Sequence, residues 1–324
     1  MKVVVVGAGA MGGLIGTRLS VTGHNVVLYD TWAEHVDTIN RHGIVIHELD
    51  DSILRYRIQA TTQPPQLDGV DLLLIEVKSY DTLKALRPFA GLVPTDTFVL
   101  SLQNGLGNLD LARAALPNHE RLLIGTTAHG SAVLGPGRLR HTGKGATVIG
   151  DPTTPPTPRF DLAPLRRALT RSGFDTEISS NIHTAVWNKL VANIAINALT
   201  AITGVRNGDL LDDPDLQPII ARLVAETVAV MQAAGVPAGM DDPLGYARKV
   251  MRDTSVASSS MLQDIRYGRQ TEVDAINGAV ARLGAELGVP TPVNRLLTTL
   301  VHNRERGVRR EGPALKLGGA SDDE

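Results

Sequence analysis

Short β-branched runs alternate with stretches of helical spacing along the first half of the chain. Residues 3–6 read as a buried strand, 11–22 as a helix and 26–29 as a second strand. Residues 72–77, 98–102 and 122–127 read as further strands. Strands alternating with helices imply βαβ crossovers and a mainly parallel sheet covered on both faces. Residues 138–150 read as a Gly-punctuated hairpin. Residues 152–158, with four prolines and three threonines, read as a surface loop. A helix over 161–172 and a strand over 174–178 close this part. From Asn181 onward no strand pattern recurs. Apolar residues follow three- and four-residue spacing instead, as in Leu216, Ile219, Ile220, Leu223, Val224 and Val228, with Pro214, Gly235, Pro237, Pro243, Gly288 and Pro290 marking helix ends. The expected organisation is a doubly wound α/β domain over 1–179, an all-helical domain over 180–317 and a flexible tail over 318–324.

Composition narrows the class. The chain has 324 residues, 43% hydrophobic and 20% charged, an ordinary globular balance. The net charge of −2 gives no electrostatic reason to expect nucleic acid or an anionic membrane as partner. There is no cysteine, which excludes disulfides, thiolate metal sites and a Cys nucleophile. The nine histidines show no metal-ligand spacing, so no metal is expected, and His129 and His141 read as structural or peripheral to the ligand crevice. No apolar run approaches the ~18–20 residues of a membrane span, and the first apolar stretch is too short for a signal segment. The expectation is a soluble, cytoplasmic protein whose apolar helical half offers a surface for a homodimer.

Candidate chemistry begins at Gly7-Ala8-Gly9-Ala10-Met11-Gly12, a G-x-G-x-x-G turn between the first strand and the first helix. Gly7 allows the tight turn, Gly9 lets backbone approach a pyrophosphate, and Gly12 lets helix and strand pack closely. The N–H groups of Ala10 and Met11 at the helix start then face the anion. Asp30 follows the second strand, 18 positions after Gly12. A carboxylate there accepts the ribose hydroxyls and repels a 2′-phosphate, which favours NAD(H). The other reading of Asp30 is a cap for the next helix. Lys78 and Asn104 follow later strands at their carboxyl ends, over the ligand crevice of such a sheet. Asn104-Gly105 also reads as a plain turn.

In the second half, Lys189, Asn193 and Asn197 are four residues apart and lie along one stripe of an otherwise apolar helix. Polar groups on such a stripe are costly unless solvent or a polar ligand meets them. A lysine held against a carbonyl is placed to donate a proton as a hydride arrives. Ser260 and Glu272 are candidates for the substrate's carboxylate and hydroxyl. On spacing alone each also reads as an ordinary loop or helix-entry residue.

Taken together, GAGAMG, EVKS, QNGLGN, GTTAHG, WNKLVANIAINALTA, SSMLQDI and TEVDAING resemble the ketopantoate reductase (2-dehydropantoate 2-reductase) family, in the family's order, from residue 1 to about 304. The resemblance implies a Rossmann domain followed by a helical domain like those of 6-phosphogluconate dehydrogenases, and NADPH-dependent reduction of ketopantoate to D-pantoate. It also implies roles: Lys189 as catalytic lysine and Glu272 as its partner, Asn104, Asn193, Asn197 and Ser260 as substrate contacts, and Lys78 as a cofactor contact. Two positions depart from the family pattern. Thr31, preceded by Asp30, stands where an Arg holds the 2′-phosphate, which points to NADH. Ala257 stands where an Asn contacts substrate, which opens the reading of a different 2-oxo acid. The rivals are a β-hydroxyacid or 6-phosphogluconate-type dehydrogenase working in the oxidative direction, and a dinucleotide sensor without turnover.

Overall fold

The computed structural model describes residues 1–153 and 159–311. The greater part of the loop expected over 152–158, the end of the helical domain and the tail expected over 318–324 lie outside the described residues. The chain divides into two compact units, Met1–Gln103 with Gly107–Ile182, and Asn104–Leu106 with the chain from His183 onward. The short segment Asn104–Leu106 therefore packs with the helical unit although it leaves a strand of the sheet unit.

The first unit runs β1 (Lys2–Val6), α1 (Ala10–Val21), β2 (Asn25–Tyr29), α2 (Ala33–His42), β3 (Ile44–His47), β4 (Ile53–Tyr56), β5 (Gln59–Thr61) and β6 (Leu72–Ile75). It continues through α3 (Thr82–Leu86), β7 (Phe98–Ser101), α4 (Asn108–Ala115), β8 (Leu122–Thr127), β9 (Gly130–Gly135), β10 (Arg138–Gly143), β11 (Thr147–Gly150), α5 (Ala163–Arg171) and β12 (Thr176–Ile178). Eight strands form one sheet in the order β12-β11-β8-β7-β6-β1-β2-β5, parallel throughout except where β11 meets β8. The central strands are apolar on both faces, as a sheet covered by helices requires. Val4, Val6, Leu73, Ile75 and Val99 pack with Leu86, Phe89, Ala112 and Leu116 on one face. On the other, Gly16 of α1 lets the helix lie against Leu28 and Val5, where a methyl would sit 2.5 Å from Leu28.

A second sheet, ordered β4-β3-β10-β9, was not foreseen from the pattern. Its strand β4 is largely exposed and β9 carries glycines at both ends, so neither shows a strong alternation. It also corrects the hairpin expected over 138–150. β10 pairs with β9 and β3, whereas β11 pairs with β8 and β12 in the main sheet. The glycines between β10 and β11 mark a change of sheet rather than a two-stranded turn.

The second unit is helical: α6 (Ile182–Thr203), α7 (Asp209–Asp212), α8 (Leu216–Ala233), α9 (Pro243–Asp253), α10 (Ser260–Arg266), α11 (Asn277–Glu286) and α12 (Pro292–Glu311). Helix α6 is the axis of its core, with Leu190, Val191, Ile194 and Ala198 packed among Ile220, Leu223, Val230, Met251, Met261, Val280 and Val301. By length and composition α6 could cross a membrane, which differs from the expectation that no segment approaches such a span. Its most apolar stretch is 67% buried inside the protein, the pattern of a core helix. The N-terminus of α12 is satisfied from α8. Buried Glu226 accepts the N–H groups of Val293 and Asn294 at 3.2 and 3.1 Å and the Asn294 side-chain amide at 3.0 Å.

Candidate active site

In the sheet unit the Gly-rich turn joins β1 to α1. The N–H of Gly7 donates to the Tyr29 carbonyl at 2.8 Å. Gly7 has φ +101° and lies against the end of β6, where a Cβ would come 2.7 Å from the Val77 nitrogen. A Cβ on Gly12 would collide with the Gly7 carbonyl, so close packing of helix on strand requires glycine there. Around Gly9, in contrast, the space a Cβ would take is open. The first helical hydrogen bond runs from Gly13 N to Gly9 O at 2.8 Å, and no side chain caps the helix. The N–H groups of Ala10, Met11 and Gly12 thus precede the helical ladder, and the first turn carries no acidic residue. An open backbone approach at Gly9 over unladdered N–H groups fits the pyrophosphate of a dinucleotide.

Asp30 leaves β2 and turns back on the loop. Its Oδ2 accepts the Ala8 N–H at 2.7 Å and its Oδ1 accepts the Trp32 N–H at 2.9 Å. Helix α2 begins one residue beyond Trp32, so Asp30 joins the Gly-rich turn to the residue that precedes the helix. Lys78 is half-buried just past β6 and starts a short turn, its carbonyl accepting the Asp81 N–H at 2.8 Å. Gln103, which opens the QNGLGN motif but carries no assigned role there, anchors this strand end. Its amide donates to the Val77 carbonyl and to Thr82 Oγ1, both at 2.7 Å, and accepts Ser101 Oγ at 2.9 Å.

In the helical unit, Lys189, Asn193 and Asn197 rise along one stripe of α6. Lys189 and Asn193 are half-buried and Asn197 is buried. Lys189 Nζ donates to Asn104 Oδ1 at 2.7 Å. Asn104 is held there by its neighbours. Gly105 has φ +84° and abuts the Ala275 carbonyl, and Leu106 N donates to that carbonyl at 2.8 Å. Ala275 closes a turn in which its N–H donates to the Glu272 carbonyl at 3.0 Å. Glu272 is buried at the head of this turn, and the preceding Thr271 N–H donates to Glu305 at 2.8 Å. Lys189, Asn104 and the Glu272 turn thus form one linked group.

Ser260 is exposed at the first residue of α10. Ser259, not Ser260, caps that helix. Its Oγ accepts the Leu262 N–H at 3.0 Å and lies 2.7 Å from Thr200 Oγ1 of α6. This bond ties the Ser260 segment to the helix that carries Lys189, three residues beyond Asn197, and leaves the Ser260 hydroxyl to solvent or ligand. Ala257, in the loop before it, has its carbonyl bonded to Asn207 N at 3.0 Å. Among the described residues no group of three or more His, Asp or Glu is arranged to hold a metal ion.

His129 and His141, read as structural or peripheral, stack at 5.5 Å with His129 Nδ1 3.3 Å from His141 Nε2, and both are buried. They line a cavity of about 530 Å³ at the C-terminal end of α1, away from the Gly-rich turn at its start.

Comparison with known proteins agrees with this layout. Residues 3–153 match the family described as ketopantoate reductase PanE/ApbA, and residues 181–305 match its C-terminal domain. The 2-dehydropantoate 2-reductase of Halobacterium salinarum is 35% identical over 306 residues, 94% of this chain and 99% of that protein. That of Pyrococcus horikoshii is 33% identical over 94% of this chain and 98% of its own. Among solved structures, a PanE/ApbA family ketopantoate reductase from Ralstonia eutropha JMP134 superposes with a TM-score of 0.85 at 33% identity, covering 95% of this chain and all of that one. The ternary structure of D-mandelate dehydrogenase with NADH and anilino(oxo)acetate superposes with a TM-score of 0.88 at 30% identity and the same coverage. With both of its domains matched, and full-length relatives on the same two-part fold, the chain belongs to the ketopantoate reductase family of NAD(P)-dependent oxidoreductases acting on CH–OH.

Proposed function

We propose that the protein reduces the 2-oxo acid ketopantoate to D-pantoate, that it prefers NADH, and that Lys189 is the general acid. The observation that carries this reading is the 2.7 Å bond from Lys189 Nζ to Asn104 Oδ1 on an apolar helix. It holds the ammonium in a fixed direction.

A bound reduced nicotinamide supplies the hydride to the keto carbon. Lys189 polarises the carbonyl oxygen and passes it a proton as charge develops there, so the alkoxide never stands free. Asn104 orients the lysine, and Asn193 and Asn197, one and two turns along the same stripe, present amides to the substrate's polar atoms. Ser260 takes the carboxylate and Glu272 the hydroxyl. Gly7, Gly9, Ala10, Met11 and Gly12 hold the pyrophosphate, Asp30 takes the adenosine ribose, and Lys78 contacts the cofactor from the neighbouring strand end. The carboxylate of Asp30, followed by Thr31 where an arginine would meet a 2′-phosphate, supports NADH over NADPH.

A second reading rests on Ala257. Its methyl offers no hydrogen bond where an asparagine is expected, and losing one such contact costs roughly 1–3 kcal/mol when the substrate group stays unpaired. That favours a 2-oxo acid without pantoate's second hydroxyl, and the likeness to D-mandelate dehydrogenase supports the same direction. The test is loss of the reduced-nicotinamide absorbance with purified protein and ketopantoate, run with NADH and NADPH in parallel and repeated with phenylglyoxylate. Fast oxidation with ketopantoate establishes the first reading. Oxidation with phenylglyoxylate alone establishes the second. Cofactor binding with no oxidation of either sinks both.

A further inference from the structure

His35 lies on α2 with no exposed surface and takes no part in the chemistry above. Its two ring nitrogens meet two backbone groups far apart in the chain. Nε2 lies 2.9 Å from the Ala8 carbonyl, and the Gly137 N–H lies 3.0 Å from Nδ1. A carbonyl only accepts and an N–H only donates, so the imidazole is neutral, with its proton on Nε2. The ring stacks on Trp32 at 4.8 Å and 11°. Gly137 is the turn between β9 and β10, where φ +66° and the closeness of Thr38 require glycine, and its carbonyl accepts the Val45 N–H of β3 at 2.8 Å. The imidazole therefore bridges the second sheet to the Gly-rich turn.

The place where the bridge lands gives it a consequence for ligand binding. A peptide unit is planar and trans, so fixing a carbonyl fixes the N–H of the next residue in the opposite direction. Holding the Ala8 carbonyl on the His35 side turns the Gly9 N–H away from that ring, and the space a Cβ would take at Gly9 is open. The peptide on the other side of Ala8 is fixed by Asp30, whose Oδ2 accepts the Ala8 N–H at 2.7 Å. Both peptide planes of Ala8 are thus set by side chains, one of which serves the ribose in the proposed reading. A histidine serving only the core would need two backbone partners anywhere. Here one partner is the residue between the first two glycines of the turn.

We infer that His35 is a positioning residue for dinucleotide binding: by clamping the Ala8 carbonyl it pre-orients the Gly9 N–H toward the pyrophosphate, and the second sheet serves as its abutment. The inference rests on the reading of residues 7–12 as a dinucleotide site. Two variants separate the ring's two bonds. In His35→Asn the side-chain oxygen replaces Nδ1 and keeps the Gly137 bond, but nothing reaches Ala8. In His35→Gln the amide nitrogen replaces Nε2 and keeps the donor to Ala8, while the Gly137 bond is lost.

The readout is the NADH dissociation constant by titration of nucleotide fluorescence, with kcat at saturating NADH alongside. His35→Asn is expected to weaken NADH about tenfold, the equivalent of one lost hydrogen bond, with kcat within about twofold. His35→Gln is expected to stay within about threefold of the parent in NADH affinity while losing thermal stability comparable to that of His35→Asn. Equal weakening in both variants, or none in either, overturns the inference. Failure of the parent protein itself to bind NADH or NADPH overturns the dinucleotide reading instead. Should either variant not fold, ¹⁵N imidazole spectra of the parent decide. The Nε2–H tautomer of His35 with a shift of its Nε2 on NADH addition is expected, and an Nδ1–H tautomer or an unmoved signal overturns it.

Discussion

Lys189 and Asn104 stand 85 positions apart in the chain and are joined by one hydrogen bond, Nζ to Oδ1, of 2.7 Å. Neither end is free to wander. Lys189 is fixed on α6, the most buried helix of its unit, and Asn104 precedes Gly105 and Leu106, which are docked on the Ala275 carbonyl. An amide oxygen that accepts from the ammonium fixes its direction. A general acid needs that, because the proton must already point at the oxygen that receives it.

Lys189→Ala is therefore expected to lower kcat by about 10²–10⁴-fold, the usual contribution of a positioned acid. Dinucleotide affinity should stay within about twofold, because the phosphate turn is built from other residues. Asn104→Ala should cost less, and the double variant should cost little more than Lys189→Ala alone, since residues sharing one interaction are not additive. Steady-state kinetics on the three variants checks this. A Lys189→Ala enzyme that keeps most of its kcat removes the lysine from the chemistry.

Replacing Asp30 by Ser and Thr31 by Arg together should shift the ratio of kcat/KM for NADPH over NADH upward by about tenfold or more. The change removes a carboxylate that repels a 2′-phosphate and adds a fork that pairs with one. Because Asp30 also accepts the Ala8 N–H, absolute affinity for NADH should fall as well. Parallel assays with both nucleotides decide the matter, and an unchanged ratio would show that Asp30 acts on the turn alone.

The alternation of apolar runs made the main sheet and the helical half legible, because buried parallel strands and a 3.6-residue period each leave a strong pattern. The Gly-rich turn and the Lys189 stripe were legible for the same reason: each is a polar or glycine signal set in a regular apolar element. The second sheet was not. Strand β4 exposes Ile53 and Leu54, so its apolar residues mark no buried face, and β3 and β10 pair in parallel across about ninety residues of sequence that no local rule connects. Gln103 and His35 were also silent. Their partners, Val77, Thr82, Ala8 and Gly137, are distant in sequence, and mostly backbone atoms, which leave no side-chain signature.

Glu226→Ala should destabilise the protein by about 2–4 kcal/mol, the range for stripping a buried acceptor from several donors. The carboxylate closes the start of α12 by accepting from Val293, Asn294 and the Asn294 amide, and the change leaves these donors, two of them buried, without it. Glu226→Gln should lie between, since its oxygen still accepts while its NH₂ opposes a donor. Urea unfolding of the three proteins tests the order, and an Ala variant as stable as the parent would show that water replaces the carboxylate.

The paired histidines of the sheet unit set a pH dependence of stability. Burial, then the neighbouring His141, Lys144 and Arg18, push the His129 imidazole down to about 4, with the Gly145 carbonyl acting weakly the other way. The partners explain the order. His141 presents its Nδ1 to Glu48 at 3.5 Å, and Glu48 also binds Arg18 at 2.6 Å, so the carboxylate that would offset a charge on His129 is engaged elsewhere. An unfolded histidine titrates near 6.5, so between about 6.5 and 4 the unfolded chain binds a proton that the folded protein refuses. Stability from this group is therefore complete above pH ~6.5 and drains away as the pH falls toward 4. The slope from one such group is at most about 1.4 kcal/mol per pH unit. His24, His35 and His119 are also lowered by burial and add slope of the same sign. The melting temperature should accordingly fall through this window in the parent protein and fall less steeply in His129→Asn, which cannot take up the proton. Thermal melts of both proteins from pH 7.5 to 4 provide the comparison, and parallel curves would show that His129 is protonated equally in the folded and unfolded states.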